Sequence, residues 1–267
     1  MSKKLGLLIL SLVLAFCTGC ATNPITGQEE FMLYPEQWDL SIGRQAAPEV
    51  EKELGGRIEN EALQSYVNSV GQQLARVSHK PGWEFHFVAL NHKSINALAL
   101  PGGHIFITKG LLDKLTTEAQ LAAILGHEIG HVVARDSAAA LSRATAISLL
   151  FTAVMSESTP EGAQMAANLA RLILDLRYSR TDEREADLAG LDYTVWAGYN
   201  PYGAVETMQM LEKLNTERPI EFFSTHPDPG NRKAYLTQKI QMKYYNLEGL
   251  KVGKEDYRSS ILQQLSD

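Results

Sequence analysis

Apolar residues recur every three or four positions in several stretches of the chain, which predicts amphipathic helices. The clearest such stretch is residues 59–78, where the apolar series is Leu63, Tyr66, Val67, Val70 and Leu74. Further helices are predicted over residues 36–54, 163–197 with a break near Tyr178, 200–215 and 232–245. Strands are predicted over residues 84–90, just before the Pro101-Gly-Gly turn, and over His104–Thr108.

The stretch AQLAAILGHEIGHVVARDS, residues 119–137, is apolar on most sides and predicts a buried helix over residues 117–135, with Thr117 as its N-cap. Residues 137–155 predict a second buried helix, and its Arg143 argues against a membrane span. The expected fold class is therefore α+β, a mostly helical domain with a small β-sheet next to the 117–135 helix.

Composition narrows the class of protein. The chain has 267 residues, of which 45% are hydrophobic, enough for one large domain or two small ones. Its net charge of −6 argues against nucleic-acid binding, which usually requires a basic surface.

The N-terminus has the pattern of an export signal, with two lysines followed by the apolar run 5–16. The sequence CTGC then resembles a bacterial lipobox, in which Cys20 is lipidated after residues 1–19 are removed. Cys17 stands where that motif usually has leucine, so an ordinary signal peptide and a soluble periplasmic protein are the alternative. Ala21, which is not an aspartate, favours the outer membrane by resemblance to bacterial sorting signals.

The expected organisation follows from these segments. Residues 20–34 are predicted to be the lipidated cysteine and a polar tether, 35–250 the main domain, and 251–267 a C-terminal tail. The chain has only two cysteines, Cys17 and Cys20, so the mature protein is expected to have no disulfide and no cysteine zinc site.

Candidate chemistry is concentrated in the buried helix 117–135. His127 and His131 lie four residues apart, so both rings face one spot, and Glu128 is placed to reach a water there. This H-E-x-x-H pattern is typical of zinc metalloproteases. The alternative is two core histidines satisfied by hydrogen bonds, but buried polar groups of this kind are costly without a partner.

A second acidic segment, YSRTDEREADLAG, could complete such a site. Glu183 and Asp187 share one helix face, so Glu183 could be the third ligand and Asp187 could accept the free ring N–H of a ligating histidine. Glu185 is a competing ligand, but it lies on the opposite face. Taken alone, the acidic run is typical of a solvated helix surface.

Together, HEIGH, SRTDEREAD, STHPDPGNR and NALALPGGHIFITKGLL resemble the zinc metallopeptidase family that contains the CAAX prenyl protease, HtpX and the Oma-type proteases. The resemblance covers residues 35–245 and is greatest to periplasmic lipoprotein proteases of the BepA and LoiP kind. Unlike HtpX, the protein is expected to have no multiple membrane spans, and unlike BepA it is expected to have no repeat domain after the protease.

This resemblance implies a gluzincin-type zincin domain with one Zn²⁺ per chain, held by His127, His131 and Glu183. It implies that Glu128 is the catalytic general base and that Asp187 is a supporting, sometimes proton-donating, residue. The expected function is a metalloendopeptidase on the periplasmic face of the outer membrane, anchored by lipid on Cys20. Its expected substrates are misfolded or stalled envelope polypeptides, above all outer-membrane proteins.

Three further roles are expected near the site. His226 and Arg232 are candidates to stabilise the oxyanion, and the His104–Thr108 strand is expected to pair with an extended substrate at its edge. By resemblance to BepA-like proteins, His226 could instead occupy the fourth zinc position as a latch that keeps the enzyme latent. The second functional hypothesis is a latched, zinc-stabilised module that escorts outer-membrane proteins and rarely cleaves them. The third is a structural lipoprotein, which would have no need of Glu128.

Overall fold

The computed structural model describes residues 20–152, 171, 176–227 and 231–265. The predicted signal peptide, residues 1–19, lies outside them, as do residues 228–230 of the STHPDPGNR stretch. Within these described residues no helix is both long and apolar enough to cross a bilayer.

Helices form most of the domain, which confirms the α+β class with helices dominant. They are α1 (Glu36–Glu53), α2 (Glu61–Val77), α3 (Lys109–Leu112), α4 (Glu118–Ala134), α5 (Asp136–Thr152), α6 (Arg180–Trp196), α7 (Tyr202–Glu217), α8 (Phe222–Thr225), α9 (Arg232–Lys243), α10 (Lys254–Tyr257) and α11 (Gln263–Leu265), with a π-helical turn at Arg258–Leu262. Within the predicted 163–197 helix, residues 176–179 are not helical, which agrees with the break expected near Tyr178.

Two small sheets accompany the helices. β1 (Cys20–Thr22) and β2 (Glu29–Phe31) form a hairpin. β3 (His86–Leu90), β4 (Ala97–Ala99) and β5 (His104–Thr108) form a mixed sheet in the order β3-β5-β4. β5 is parallel to β3 and antiparallel to β4.

The substrate-pairing role expected for the His104–Thr108 strand is wrong. Both of its edges are already paired, to β3 on one side and to β4 on the other. A strand between two partners has no free backbone groups to offer an extended peptide. The sheet edges belong to β3 and β4.

The helix α4 is the centre of the domain, and all of its residues are buried. It begins as predicted at Thr117, whose hydroxyl accepts a hydrogen bond of 3.2 Å from the Gln120 backbone N–H. The helix packs against α2, α6, α7 and the sheet. This complete burial explains the absence of a polar face in its sequence.

The segment predicted as a polar tether is partly folded. The Asn23 side chain is buried and accepts a 2.9 Å hydrogen bond from the Ile25 N–H, while its amide donates to Glu30 over 2.6 Å. Its amide also donates to Glu185 of α6 over 3.4 Å, so the hairpin of β1 and β2 is attached to the domain. The boundary between tether and domain stays a prediction.

The segment expected to be a C-terminal tail is also packed into the domain. Tyr257 and Ile261 are fully buried in the main core. The carbonyls of Val252 and Gly253 accept hydrogen bonds from the N–H groups of Ala119 and Glu118, 3.1 and 3.2 Å long. These bonds satisfy two of the donors that the start of any α-helix leaves without an intrahelical partner.

Candidate metal centre

Two glycines let α4 and α6 approach closely. A Cβ atom on Gly126 would lie 2.8 Å from the Gly190 carbonyl oxygen, and one on Gly190 would lie 2.6 Å from the His127 backbone nitrogen. Any larger side chain at either position would separate the helices. This contact places the H-E-x-x-H face of α4 directly against the acidic face of α6.

Four buried side chains converge at this contact, and each offers one metal-binding atom: His127, His131, Glu183 and His226. The Nε2 atoms of His127 and His131 are 3.1 Å apart. His226 Nδ1 lies 3.3 Å from His127 Nε2 and 2.9 Å from Glu183 Oε1. His131 Nε2 lies 3.3 Å from the same Glu183 oxygen.

The donor set fits a zinc ion. Zinc bonds of about 2.0–2.1 Å in tetrahedral geometry put neighbouring donor atoms about 3.3 Å apart, which is close to the separations found among the four atoms. Without an ion, the cluster would hold three imidazoles and a carboxylate in nearly complete burial, an arrangement that is costly. Both the geometry and the chemistry of the donors therefore support one zinc ion per chain.

Glu128 lies beside this cluster and is not a member of the donor group. Its side chain is fully buried, and neither carboxylate oxygen has a hydrogen-bond partner among the described residues. The nearest ring nitrogen, His226 Nε2, is 3.6 Å from Glu128 Oε1. A buried carboxylate without partners has its proton-accepting capacity available for a reacting water.

Carboxylates on the far side of the rings orient two ligands. Asp187 Oδ1 lies 3.0 Å from His127 Nδ1, which is the position expected for Asp187 from its spacing to Glu183. Asp136 Oδ2 lies 2.7 Å from His131 Nδ1. The Asp136 hydrogen bond fixes the His131 ring and its tautomer, so that Nε2 faces the metal position, and Asp187 lies close enough to His127 to support that ring in the same way.

Arg232 holds the acidic face of α6 in place. It donates to Asp187 from Nε and Nη2 over 2.8 and 2.5 Å, and its Nη1 is 3.2 Å from Glu183 Oε2. Tyr235 also donates its hydroxyl to Asp187. Three contacts to carboxylates therefore already occupy the guanidinium group that was expected to stabilise the oxyanion. The structure favours a role in which Arg232 balances the charges of Asp187 and Glu183 and positions them.

The ionisation of the cluster follows from these contacts. Burial alone would raise the pKa of Glu183, but the adjacent His226 and His131 hold that pKa well below its usual value. Burial likewise opposes ionisation of Asp187, yet Arg232 and His127 lower its pKa to about 2. Both carboxylates are thus charged at neutral pH, as metal coordination by Glu183 requires.

His226 follows the short helix α8, whose Phe222 ring stacks on it with centroids 4.6 Å apart. His226 also lines a cavity of about 230 Å³ together with Asn96, Leu98, Ala99 and other residues. Its ring therefore lies between the donor cluster and the cavity.

Sequence reasoning missed three supporting residues, Asp136, Tyr178 and Tyr235. The Tyr178 ring stacks on His131 with centroids 3.9 Å apart and planes at 11°. Asp136 comes five residues after His131, where the next helix begins, so a search for carboxylates near each histidine could have found it. Glu185, the competing ligand, lies outside the donor group, as its helix position indicated.

Comparison with known proteins agrees with this geometry. The sequence pattern described as Peptidase family M48 matches residues 61–240. The mitochondrial metalloendopeptidase OMA1 of Arabidopsis thaliana is 32% identical over 169 residues, which are 63% of this chain and 34% of the relative. The beta-barrel assembly-enhancing protease of Escherichia coli is 29% identical over 212 residues, covering 73% of this chain and 43% of the relative. The chain thus spans less than half the length of these two relatives.

Proposed function

The chain belongs to peptidase family M48, and on this basis we propose that it is a zinc-dependent endopeptidase that acts on polypeptides in the bacterial envelope. One observation carries the proposal. Three donors from α4 and α6 converge within metal-binding distance, and the Glu128 carboxylate lies beside them without a partner. A structural metal site would not need such a carboxylate.

The proposed mechanism assigns each group one task. His127, His131 and Glu183 hold the metal. Bound zinc supplies Lewis acidity, which polarises the scissile carbonyl and makes a bound water more acidic. Glu128 accepts the proton of the attacking water and returns it to the leaving amine, and its burial keeps competing water away from both transfers.

The polypeptide is proposed to bind along β4. This strand has β5 on one side, and no strand pairs with its other edge among the described residues. An extended substrate can add there as a further strand through backbone hydrogen bonds, which suits a protease that acts on unfolded chains of varied sequence. The cavity beside His226 receives its side chains.

His226 is proposed to keep the resting enzyme latent. Its Nδ1 atom lies with the three other donors, so it would fill the metal position that a catalytic site leaves open for water or substrate. Movement of α8 away from α6 would then open the site. The alternative role, oxyanion stabilisation, requires His226 to leave the metal and stay nearby.

The proposed location is the periplasmic face of the outer membrane, with lipid on Cys20, which lies exposed at the start of β1 with a free thiol. The substrates are proposed to be misfolded or stalled outer-membrane proteins, in keeping with the name of the Escherichia coli relative. A chaperone-like module that binds such proteins and rarely cleaves them is the second candidate, because a metal with four protein donors has no open position for water or substrate.

One experiment distinguishes the peptidase from the binding module. Purified full-length protein in detergent is loaded with zinc, and casein cleavage is compared between His226→Ala and His226→Ala/Glu128→Gln. A peptidase loses about 10²–10⁴-fold in kcat when its general base is removed, while elemental analysis still finds one zinc. Cleavage that survives in the double variant, or is absent from both zinc-loaded variants and from the zinc-loaded parent, contradicts the peptidase and favours the binding module.

A further inference from the structure

The helix that carries His127 and His131 ends in an uncommon turn. Arg135 follows its last residue with φ 61° and ψ 34°, which is the left-handed conformation. Among the described residues other than glycine, only Arg135 and Asn231 have a positive φ. Helices commonly end with glycine at such a position, because a Cβ atom makes this conformation unfavourable. The reason for an arginine here must therefore lie in its side chain.

The Arg135 side chain fastens this turn to α1. Its Nε and Nη2 atoms donate to the two carboxylate oxygens of Asp39 over 2.5 and 3.0 Å, and Nη2 also donates to the Tyr34 carbonyl over 2.8 Å. The side chains of Asp39 and Arg135 are 5% and 9% exposed. A bidentate contact of this kind requires the planar guanidinium group, and lysine cannot form it. The turn is thus fixed relative to α1.

The turn places the next two residues beside the metal centre. Helix α5 begins directly after it at Asp136, whose Oδ2 atom lies 2.7 Å from His131 Nδ1. The Ser137 hydroxyl lies 3.1 Å from the Tyr178 hydroxyl, and the Tyr178 ring stacks on His131. Both of these supports for the His131 ring depend on the direction in which the chain leaves Arg135.

We propose that Arg135 is a positioning residue of the metal centre. Through its ion pair with Asp39 it locks the left-handed turn, and the turn holds the Asp136 carboxylate against the His131 ring. The hydrogen bonds of the guanidinium group go to Asp39 and Tyr34, so Arg135 acts on the metal only through the residues that follow it. This role concerns zinc binding and holds whether or not the site cleaves polypeptides.

Arg135→Gly separates this role from simple helix termination. Glycine is the residue that a left-handed backbone favours, so a side chain that only ends the helix can be lost with no change in zinc affinity. If the side chain positions Asp136, zinc should bind about tenfold more weakly, as when an outer contact to a zinc ligand is removed. Competition with a chromogenic chelator measures this on full-length protein in detergent. The absorption spectrum of the Co²⁺-loaded protein, which reports the coordination geometry, should change as well.

A second variant and a control accompany this change. Arg135→Lys keeps the positive charge but loses the bidentate contact, so it should also weaken zinc binding, and it serves if Arg135→Gly does not fold. Asn231→Gly is the matched control, because Asn231 has a similar φ of 62° and its side chain makes no capping hydrogen bond to α9. Its zinc affinity should equal the parent value.

A double-mutant cycle tests whether the effect passes through Asp136. In protein that carries Asp136→Asn, the carboxylate that supports His131 is already gone, so Arg135→Gly should cause little further loss of zinc affinity. An Arg135 that only stabilises the fold would give a loss that adds to that of Asp136→Asn. Parent zinc affinity and Co²⁺ spectrum in the Arg135 variants, or additive losses in the cycle, overturn the positioning role. Neither measurement involves casein cleavage, so a failure of the peptidase proposal is recognised separately.

Discussion

The Nδ1 atom of His131 lies 2.7 Å from Oδ2 of Asp136, and both side chains are almost completely buried. Burial alone would lower the pKa of His131, but the hydrogen bonds to Asp136 and Glu183 raise it. Asp136 therefore affects the metal through the ring that it orients.

Asp136→Asn should weaken zinc binding about 10–100-fold, because outer contacts of this kind set the orientation and basicity of the ligand. Competition with a chromogenic zinc chelator measures the change. Asp113→Asn, at an exposed carboxylate that pairs only with Lys114, is the control. Equal zinc affinity in all three proteins would show that the His131 ring needs no such support.

Arg232→Gln should lower the free energy of unfolding by about 3–5 kcal/mol, because it leaves Glu183 and Asp187 as buried charges without their main cation. Zinc affinity should fall as well. Chemical denaturation and elemental analysis test both effects. If Arg232 acts on the oxyanion instead, kcat will fall while stability and zinc content stay at the parent values.

His226→Ala tests the latch. If His226 occupies the fourth metal position at rest, only a small fraction of the molecules has an open site. Its removal should open the site in all molecules and raise casein cleavage about tenfold or more. Zinc should remain on the three other ligands. The measurement is kcat/KM per mole of bound zinc.

Ser224→Ala is a suitable control for the latch, since Ser224 lies in the same short helix and donates only to the Glu221 carbonyl. It should leave cleavage close to the parent level. Reduced cleavage by His226→Ala with zinc retained would disprove latency and favour the oxyanion role.

His104 should make stability depend on pH. Burial, with His86 and Arg44 nearby, lowers its pKa from 6.5 to about 4. The unfolded chain therefore binds a proton first as pH falls, so the folded state loses stability between about pH 6.5 and pH 4.

In His104→Gln this contribution is absent, so its Tm should fall less than the parent Tm across that interval. The difference should be about 2–4 °C, since partial exposure screens the effect. Thermal unfolding of both proteins at pH 7.5, where His104 is neutral in both states, provides the reference. Parallel curves down to pH 4 would contradict the lowered pKa.

Local patterns predicted much of the fold and of the candidate site. His127 and His131 share a helix face if their own segment is helical, and the same holds for Glu183 and Asp187. A local prediction of each helix was therefore enough to place each pair. Strand order was not predictable in the same way. Ala97–Ala99 is a three-residue strand with the sequence Ala-Leu-Ala, and nothing in this composition shows that it, and not His104–Thr108, forms the edge of the sheet.

The contacts that sequence could not predict are long-range. Arg232 was expected near the oxyanion, but whether a buried arginine meets a substrate or a carboxylate depends on how α9 packs on α6. The segment after residue 250 was expected to be a tail. Its Tyr257 and Ile261 stand isolated among polar residues, so no local pattern shows that they are buried. Their burial depends on a surface that α2 and α4 create only in the folded domain.

That packed segment has a consequence for biosynthesis. Lys251 pairs with Glu118 across 133 residues of sequence, and the neighbouring carbonyls close the first turn of α4. Synthesis from the N-terminus makes the helix that carries His127 and His131 well before it makes these groups. The first turn of that helix is therefore completed only when the segment from 251 to 261 has packed against it.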